Sequence, residues 1–335
     1  MPALTLQIPA PVKGRLPALD ELKGLAILLV VLYHAGGVLT WNNYLHGDLG
    51  VDIFVILSGI GLSYGSHWEG AGPFLRKRLA RIIPTYWLLL TVFLVLNSHF
   101  LQLSYTPANM ALHYLGIHGW FGDAYAMTIV DSFWFITLIL SLYLLYAGLH
   151  GLVDRPDRLL LAGALISVAA AFVWFLTGQA GSFGHLGLRL PGFFYGLLIG
   201  RFLQTGTLSL SLGSCLMLAA LLLTYVPYVR GIVFHTGIVA LGVMGFYVFS
   251  ARARLTGLTG TRVRQTLKFL GDHSLEIFLL HQPLIRDYNV YLHGRWLGES
   301  APSRLSLVMG MLAGFTITLL LSYELRRTLR RFFTS

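Results

Sequence analysis

Residues 15–39 read RLPALDELKGLAILLVVLYHAGGVL. The part from 19 to 39 has the length and apolar character of a helix that crosses a bilayer. It carries Lys23 near its start and His34 near its end. No small-residue cleavage site follows, so the run is expected to stay in the chain rather than leave as a signal peptide. An ionisable side chain inside a spanning helix is costly, and is by default a functional hypothesis. The fold and the chemistry are therefore to be sought in a membrane.

The same length template picks out ten segments: about 19–39, 48–66, 83–101, 131–149, 159–178, 189–204, 208–226, 232–250, 268–290 and 305–325. The sixth is short and holds Pro191, Gly192, Gly196 and Gly200. The expected fold class is all-α, a polytopic bundle of about ten transmembrane helices. Residues 1–18 form an extended cytoplasmic arm, 19–325 the transmembrane domain, and 326–335 a short basic cytoplasmic tail. Composition agrees. Of the 335 residues only 11% are charged, against about 25% in soluble domains. That excludes a soluble enzyme, a disordered chain and a disulfide scaffold. The single cysteine, Cys215, lies in an apolar run and excludes a cysteine metal cluster. No metal is expected.

The net charge of +10 would suit nucleic acid, but its placement argues otherwise. With the N-terminus inside and the spans alternating, nineteen of the 24 basic residues fall inside and five outside. The five are Arg189, Arg230, Arg286, Arg295 and Arg304. That asymmetry is the positive-inside rule, and it places both termini in the cytoplasm. No nucleic-acid partner is implied; membrane lipids are. The outer connections 40–47 and 102–130 contain no lysine or arginine. The second is rich in aromatics and histidine, and reads either as an interfacial belt or as a lid or acceptor platform.

Topology assigns depths to the polar residues. Lys23 sits near the inner end of the first span, and His34 about a turn from its outer end. Asp52, in the returning span, shares the depth of His34. Arg78 and Arg81 share one helical face at i and i+3, near the level of Lys23. Lys23 and His34 are about 16 Å apart along a helix, about three turns. That is the scale of a phosphopantetheine arm. A cytoplasmic coenzyme A can lay its phosphates on Lys23, Arg78 and Arg81 while its thioester reaches His34. Plainer readings stand beside these. Lys23 can snorkel to headgroups, and residues 76–81 can be topology charges alone. His34 and His281 can bond neighbouring helices. Asp52 can act as a helix N-terminal anion, and Glu276 can pair with a nearby cation.

Five strings, in order, resemble the integral-membrane acyltransferase-3 family. RLPALDELKGLAILLVVLYH (15–34) is similar to the family's opening, with Lys23 where arginine is usual. GDLGVDIFVILSGIGLSYG (47–65) resembles its second block, with Ile60 in place of phenylalanine. FLRKRLARIIPTYW (74–87) carries the paired arginines as Arg78 and Arg81. DSFWFITLILSLYLLY (131–146) and HSLEIFLLHQPLI (273–285) resemble the later helices.

The resemblance implies transfer of an acyl group from cytoplasmic acyl-coenzyme A, most often acetyl-CoA, to a hydroxyl at the outer face of the bacterial inner membrane. The acceptors it implies are sugars or cell-surface glycans. Because the sequence stops at Ser335, soon after the tenth span, the stand-alone form of the family is expected, which finishes the reaction itself or hands the acyl group to a partner from a polysaccharide assembly pathway. His34 is the expected general base or transient acyl carrier, since a near-neutral imidazole suits either task. Asp52 is expected to orient it, and Lys23, Arg78 and Arg81 to hold phosphates. Lysine at position 23 keeps a point charge but lacks the bidentate fork. Ser58, Trp134 and His281 are candidates to line the pocket. A transporter or flippase for glycans or lipid-linked sugars is the competing reading, and a non-catalytic scaffold the third.

Overall fold

The computed structural model describes residues 4–7, 17–39, 47–65, 68–176, 187, 189–210, 261–295 and 303–333. Apart from one short two-stranded ribbon, the elements among these residues are helices. The helix α1 (Pro17–Val38) is followed by α2 (Gly47–Gly65), α3 (Ala71–Phe100), α4 (Pro107–Tyr114) and α5 (Asp123–Ala126). Next come α6 (Trp134–Leu149), α7 (Pro156–Leu176) and α8 (Leu190–Thr205). The last four are α9 (Thr261–Asp272), α10 (Ser274–Gln282), α11 (Tyr288–Arg295) and α12 (Arg304–Phe333). Among the described residues, four stretches are long and apolar enough to cross a membrane: Pro17–Val38, Ala71–Phe100, Asp131–Leu152 and Arg304–Leu329. Leu49–Gly65 is a shorter apolar helix.

The structure differs from the sequence expectation in five places. The third helix begins at Ala71 rather than 83, because nothing in FLRKRLAR breaks a helix and Pro84 sits inside it. Phe74 packs on Tyr143 and Tyr146, while Tyr86 and Phe93 pack on Phe133. Hence α3 lies alongside α6 from Phe74 to Phe93, and the basic run belongs to the bundle rather than preceding it. The ninth segment is not one uniform helix. It is interrupted at His273, where α9 gives way to α10, and Pro283–Asp287 form a π turn before α11. The basic residues after 325 continue α12 to Phe333. The segment expected to start at 208 begins instead as a strand. Thr207–Leu210 pairs antiparallel with Leu4–Gln7, giving the N-terminal arm a partner. Finally, 102–130 folds into α4, α5 and 3-10 turns. The rest of the seventh segment and all of the eighth lie outside the described residues.

The short sixth segment does form a helix, with Pro191 in its first turn and Gly206 closing it in the left-handed conformation at φ 76°. Its glycines explain its place. A Cβ on Gly196 would meet the Ile56 carbonyl and the Gly59 Cα, and one on Gly59 would meet the Phe193 carbonyl. The backbones of α2 and α8 therefore touch. In lipid, where apolar surface gains nothing from leaving water, such close contact is what holds helices together. Gly196→Leu is expected to destabilise the fold by at least about 1–3 kcal/mol through overpacking. A melting temperature in detergent equal to that of the unaltered protein would contradict this.

Candidate active site

Three groups of contacts bring the chemistry-bearing side chains to one end of the bundle. The His34 ring, near the end of α1, lies 5.0 Å from the His281 ring at an interplanar angle of 59°. Arg286, on the π turn one turn beyond His281, pairs with Asp131 at 3.2 Å just before α6, and with Asp287 at 2.7 Å. Arg189, at the start of α8, pairs with Asp52 at 3.5 Å. Its guanidinium stands 5.2 Å from the Trp134 ring, at the start of α6. The far end is marked by Tyr146, whose hydroxyl donates to the Leu62 carbonyl at 2.9 Å.

His281 is fully buried. Its Nδ1 lies 2.7 Å from the Phe278 carbonyl and 3.2 Å from that of Ile277. Carbonyls only accept, so Nδ1 carries the proton and Nε2 keeps its lone pair. Nε2 has no hydrogen-bond partner among the described residues. A buried polar atom without a partner is unusual enough to need a reason. The adjacent π turn is a distortion that recurs at functional sites.

The other expected residues fall as follows. The Asp52 carboxylate, buried with Arg189, has its ion partner across the helix interface. Trp134 lies beneath Arg189. The Ser58 hydroxyl donates to the Phe54 carbonyl of its own helix at 2.8 Å. Lys23 pairs with Asp20 at 3.3 Å, one turn back on α1. The Arg78 guanidinium stands 5.5 Å from the Phe74 ring and 5.8 Å from that of Tyr143. Arg81 is exposed. Tyr143 is in the far half of α6, so Arg78 lies toward the end opposite His34. Glu276 pairs with Arg326 of α12 at 3.7 Å, as expected of a carboxylate in a span.

Arg189, Arg286, Asp131 and Asp287 were not foreseen as site residues. A signal existed. Arg189 and Arg286 are two of the five cations that break the positive-inside pattern, and a cation on the unfavoured side needs a local reason to be there.

The connection 102–130 is anchored along α3 and α6. Tyr86 donates to the His113 carbonyl, Trp87 to the Tyr114 carbonyl, and Gly119 N–H to the Thr137 hydroxyl. His113 and His118 stack at 3.9 Å, both fully buried. Trp120 and Phe121 remain exposed. Burial pushes the His113 imidazole down to about 4, and burial with His113 beside it pushes His118 down to about 3. Once the segment opens, both take protons below about 6.5. The opened form thus binds more protons between these values, so stability is present above that range and is lost as pH falls through it. Exchange of the Gly119 amide, corrected for its intrinsic rate, is expected to speed up between about pH 7 and about pH 5. A flat profile would contradict the pairing of burial with neutrality.

Comparisons with known proteins bear on the family of the chain. A family model described as an acyltransferase domain matches residues 16–325. The chain is also similar to "Putative membrane-bound transacylase BcsY" of Komagataeibacter xylinus, at 30% identity over 207 residues. That alignment covers 56% of this chain and 51% of that protein. The chain therefore spans about half the length of the curated relative it matches. No solved structure matches it. The match over nearly the whole chain is the decisive one: the protein belongs to the acyltransferase-3 family of membrane acyltransferases.

Proposed function

We propose that the protein moves an acyl group, acetyl in the first instance, from cytoplasmic acyl-coenzyme A to a hydroxyl of a sugar or cell-surface glycan at the outer face of the bacterial inner membrane. The observation that carries this reading is the polarity of the bundle. The His34 imidazole lies beside a second imidazole at one end, and the Arg78 and Arg81 cations occupy the helix that runs toward the other. The distance of about 16 Å along α1 between Lys23 and His34 suits an extended acyl carrier arm. The basic asymmetry supports about ten spans with both termini cytoplasmic.

His34 is the group that meets the thioester. Arg78 and Arg81 provide bidentate donors for the phosphates of coenzyme A. Lys23, already facing Asp20, adds a weaker point charge. Asp52 is held by Arg189, so we read it as fixing the wall around His34. An Arg78→Ala, Arg81→Ala double variant is expected to weaken coenzyme A binding by about 10-fold or more, on the scale of one charge-assisted hydrogen bond. Unchanged affinity in titration calorimetry would remove the phosphate role.

The function itself is tested by mass spectrometry of surface glycans from cells with and without the gene. The expected result is a sugar lighter by one acetyl substituent when the gene is absent. Identical glycans, with acetyl-coenzyme A untouched by the purified protein, would refute the reading.

A further inference from the structure

The His281 Nε2 lone pair, buried beside His34 and without a partner among the described residues, has no task if His34 alone serves as base. It has one if His34 carries the acyl group. Resting on the acyltransferase reading above, we infer that the reaction runs in two halves and that His281 is the general base of the second, taking the proton of the acceptor hydroxyl.

The chemistry balances as follows. One ring nitrogen of His34 attacks the thioester carbon. The carbon–sulfur bond breaks, and coenzyme A leaves as its thiolate, which takes a proton from bulk water. His34 keeps the proton on its other ring nitrogen and becomes an N-acylimidazolium. In that state it has no lone pair with which to accept a proton. The acceptor hydroxyl then attacks the acyl carbon while its proton moves to His281 Nε2. The carbon–nitrogen bond breaks, and His34 departs as neutral imidazole. His281 returns its proton to bulk water.

Among the described residues the other bases at this end are less suited. Asp52 faces Arg189, while Asp131 and Asp287 face Arg286. Each carboxylate already has a cation as its partner. The His281 ring, by contrast, is fixed by its Nδ1–H on the Phe278 carbonyl. Its lone pair is thereby turned away from its own backbone, and its ring centroid lies 5.0 Å from that of His34.

His281→Asn separates this role from a structural one. The asparagine amide can still donate where Nδ1–H does, toward the Phe278 carbonyl, but has no distal lone pair. Three readouts are taken on the protein in its own membranes. The first is exchange of labelled coenzyme A into acetyl-coenzyme A, which reports the first half alone. The second is incorporation of labelled acetyl into membrane glycan, which needs both halves. The third is acetohydroxamate formation from hydroxylamine, a nucleophile strong enough to attack the adduct without a base.

In His281→Asn, exchange and hydroxamate formation are expected within about threefold of the unaltered protein, while glycan incorporation falls about 100-fold or more, the usual worth of a general base. Parallel loss of all three readouts in a variant that still melts cooperatively would overturn the proposal. So would full glycan incorporation. If the variant fails to fold, the unaltered protein still decides. Glycan acetylation without coenzyme A exchange refutes the two-half reaction and leaves the acyltransferase reading standing. Absence of both removes that reading as well.

Discussion

His34→Ala is expected to lower acyl transfer by at least about 100-fold, the lower range of what a general base or nucleophile contributes. The change should leave the fold intact. His34 is only half-buried and lies at the end of α1. Its ring neighbours among the described residues are Tyr33 and His281, so a methyl in its place removes little packing. The loss should fall on exchange of coenzyme A as well as on transfer, because in the proposed reaction the thioester is the first group His34 meets. Retention of full transfer in a purified, folded His34→Ala variant would sink the assignment. A collapsed melting transition would point instead to a structural histidine.

The second large effect concerns Asp52 and Arg189. Both side chains are about 4–5% exposed and lie 3.5 Å apart between α2 and α8. Removing one partner of a buried pair strands the other charge, at a cost of about 3–5 kcal/mol. Asp52→Ala and Arg189→Ala are each expected to lower the melting temperature sharply. The double variant Asp52→Leu, Arg189→Met replaces both charges with apolar groups of similar volume, and should recover most of that loss. It should also retain transfer if Asp52 acts on the walls of the site. Recovered stability with transfer still abolished would place the Asp52 carboxylate in the chemistry. Single variants as stable as the unaltered protein would contradict the ion pair itself.

Much of the bundle was legible in the sequence because apolar length is a direct physical requirement of lipid. The segments at 19–39, 48–66, 131–149 and 305–325 are found as helices within a few residues, though α12 runs on beyond its segment. What a hydropathy window misreads is charge inside a helix. The arginines of FLRKRLAR displaced the expected start of α3 by twelve residues, although arginine is a good helix former. The window also cannot see that glycines at 59 and 196 let two backbones meet, or that one segment breaks at His273 and distorts at Pro283.

The site was legible in part for a similar reason. His34 and His281 stood out because ionisable groups in spans are scarce. Their contact did not, since 247 residues separate them and no periodicity links α1 to α10. Arg189 and Arg286 counted only among the five exceptions to the positive-inside pattern, and that count does not say which carboxylate each cation faces. The carboxylate expected to serve His34 turned out to face Arg189, a partner that only the packing of α2 on α8 supplies.

The central claim is that acyl groups cross this bundle by way of His34. Sealed, inside-out membrane vesicles supplied externally with labelled acetyl-coenzyme A test it most directly. The cytoplasmic face is then the accessible one, and glycan at the former outer face is enclosed. The account predicts label on the enclosed glycan, dependent on the protein and abolished in His34→Ala. Label confined to free acetate, or enclosed glycan labelled equally well by the His34→Ala variant, would contradict it.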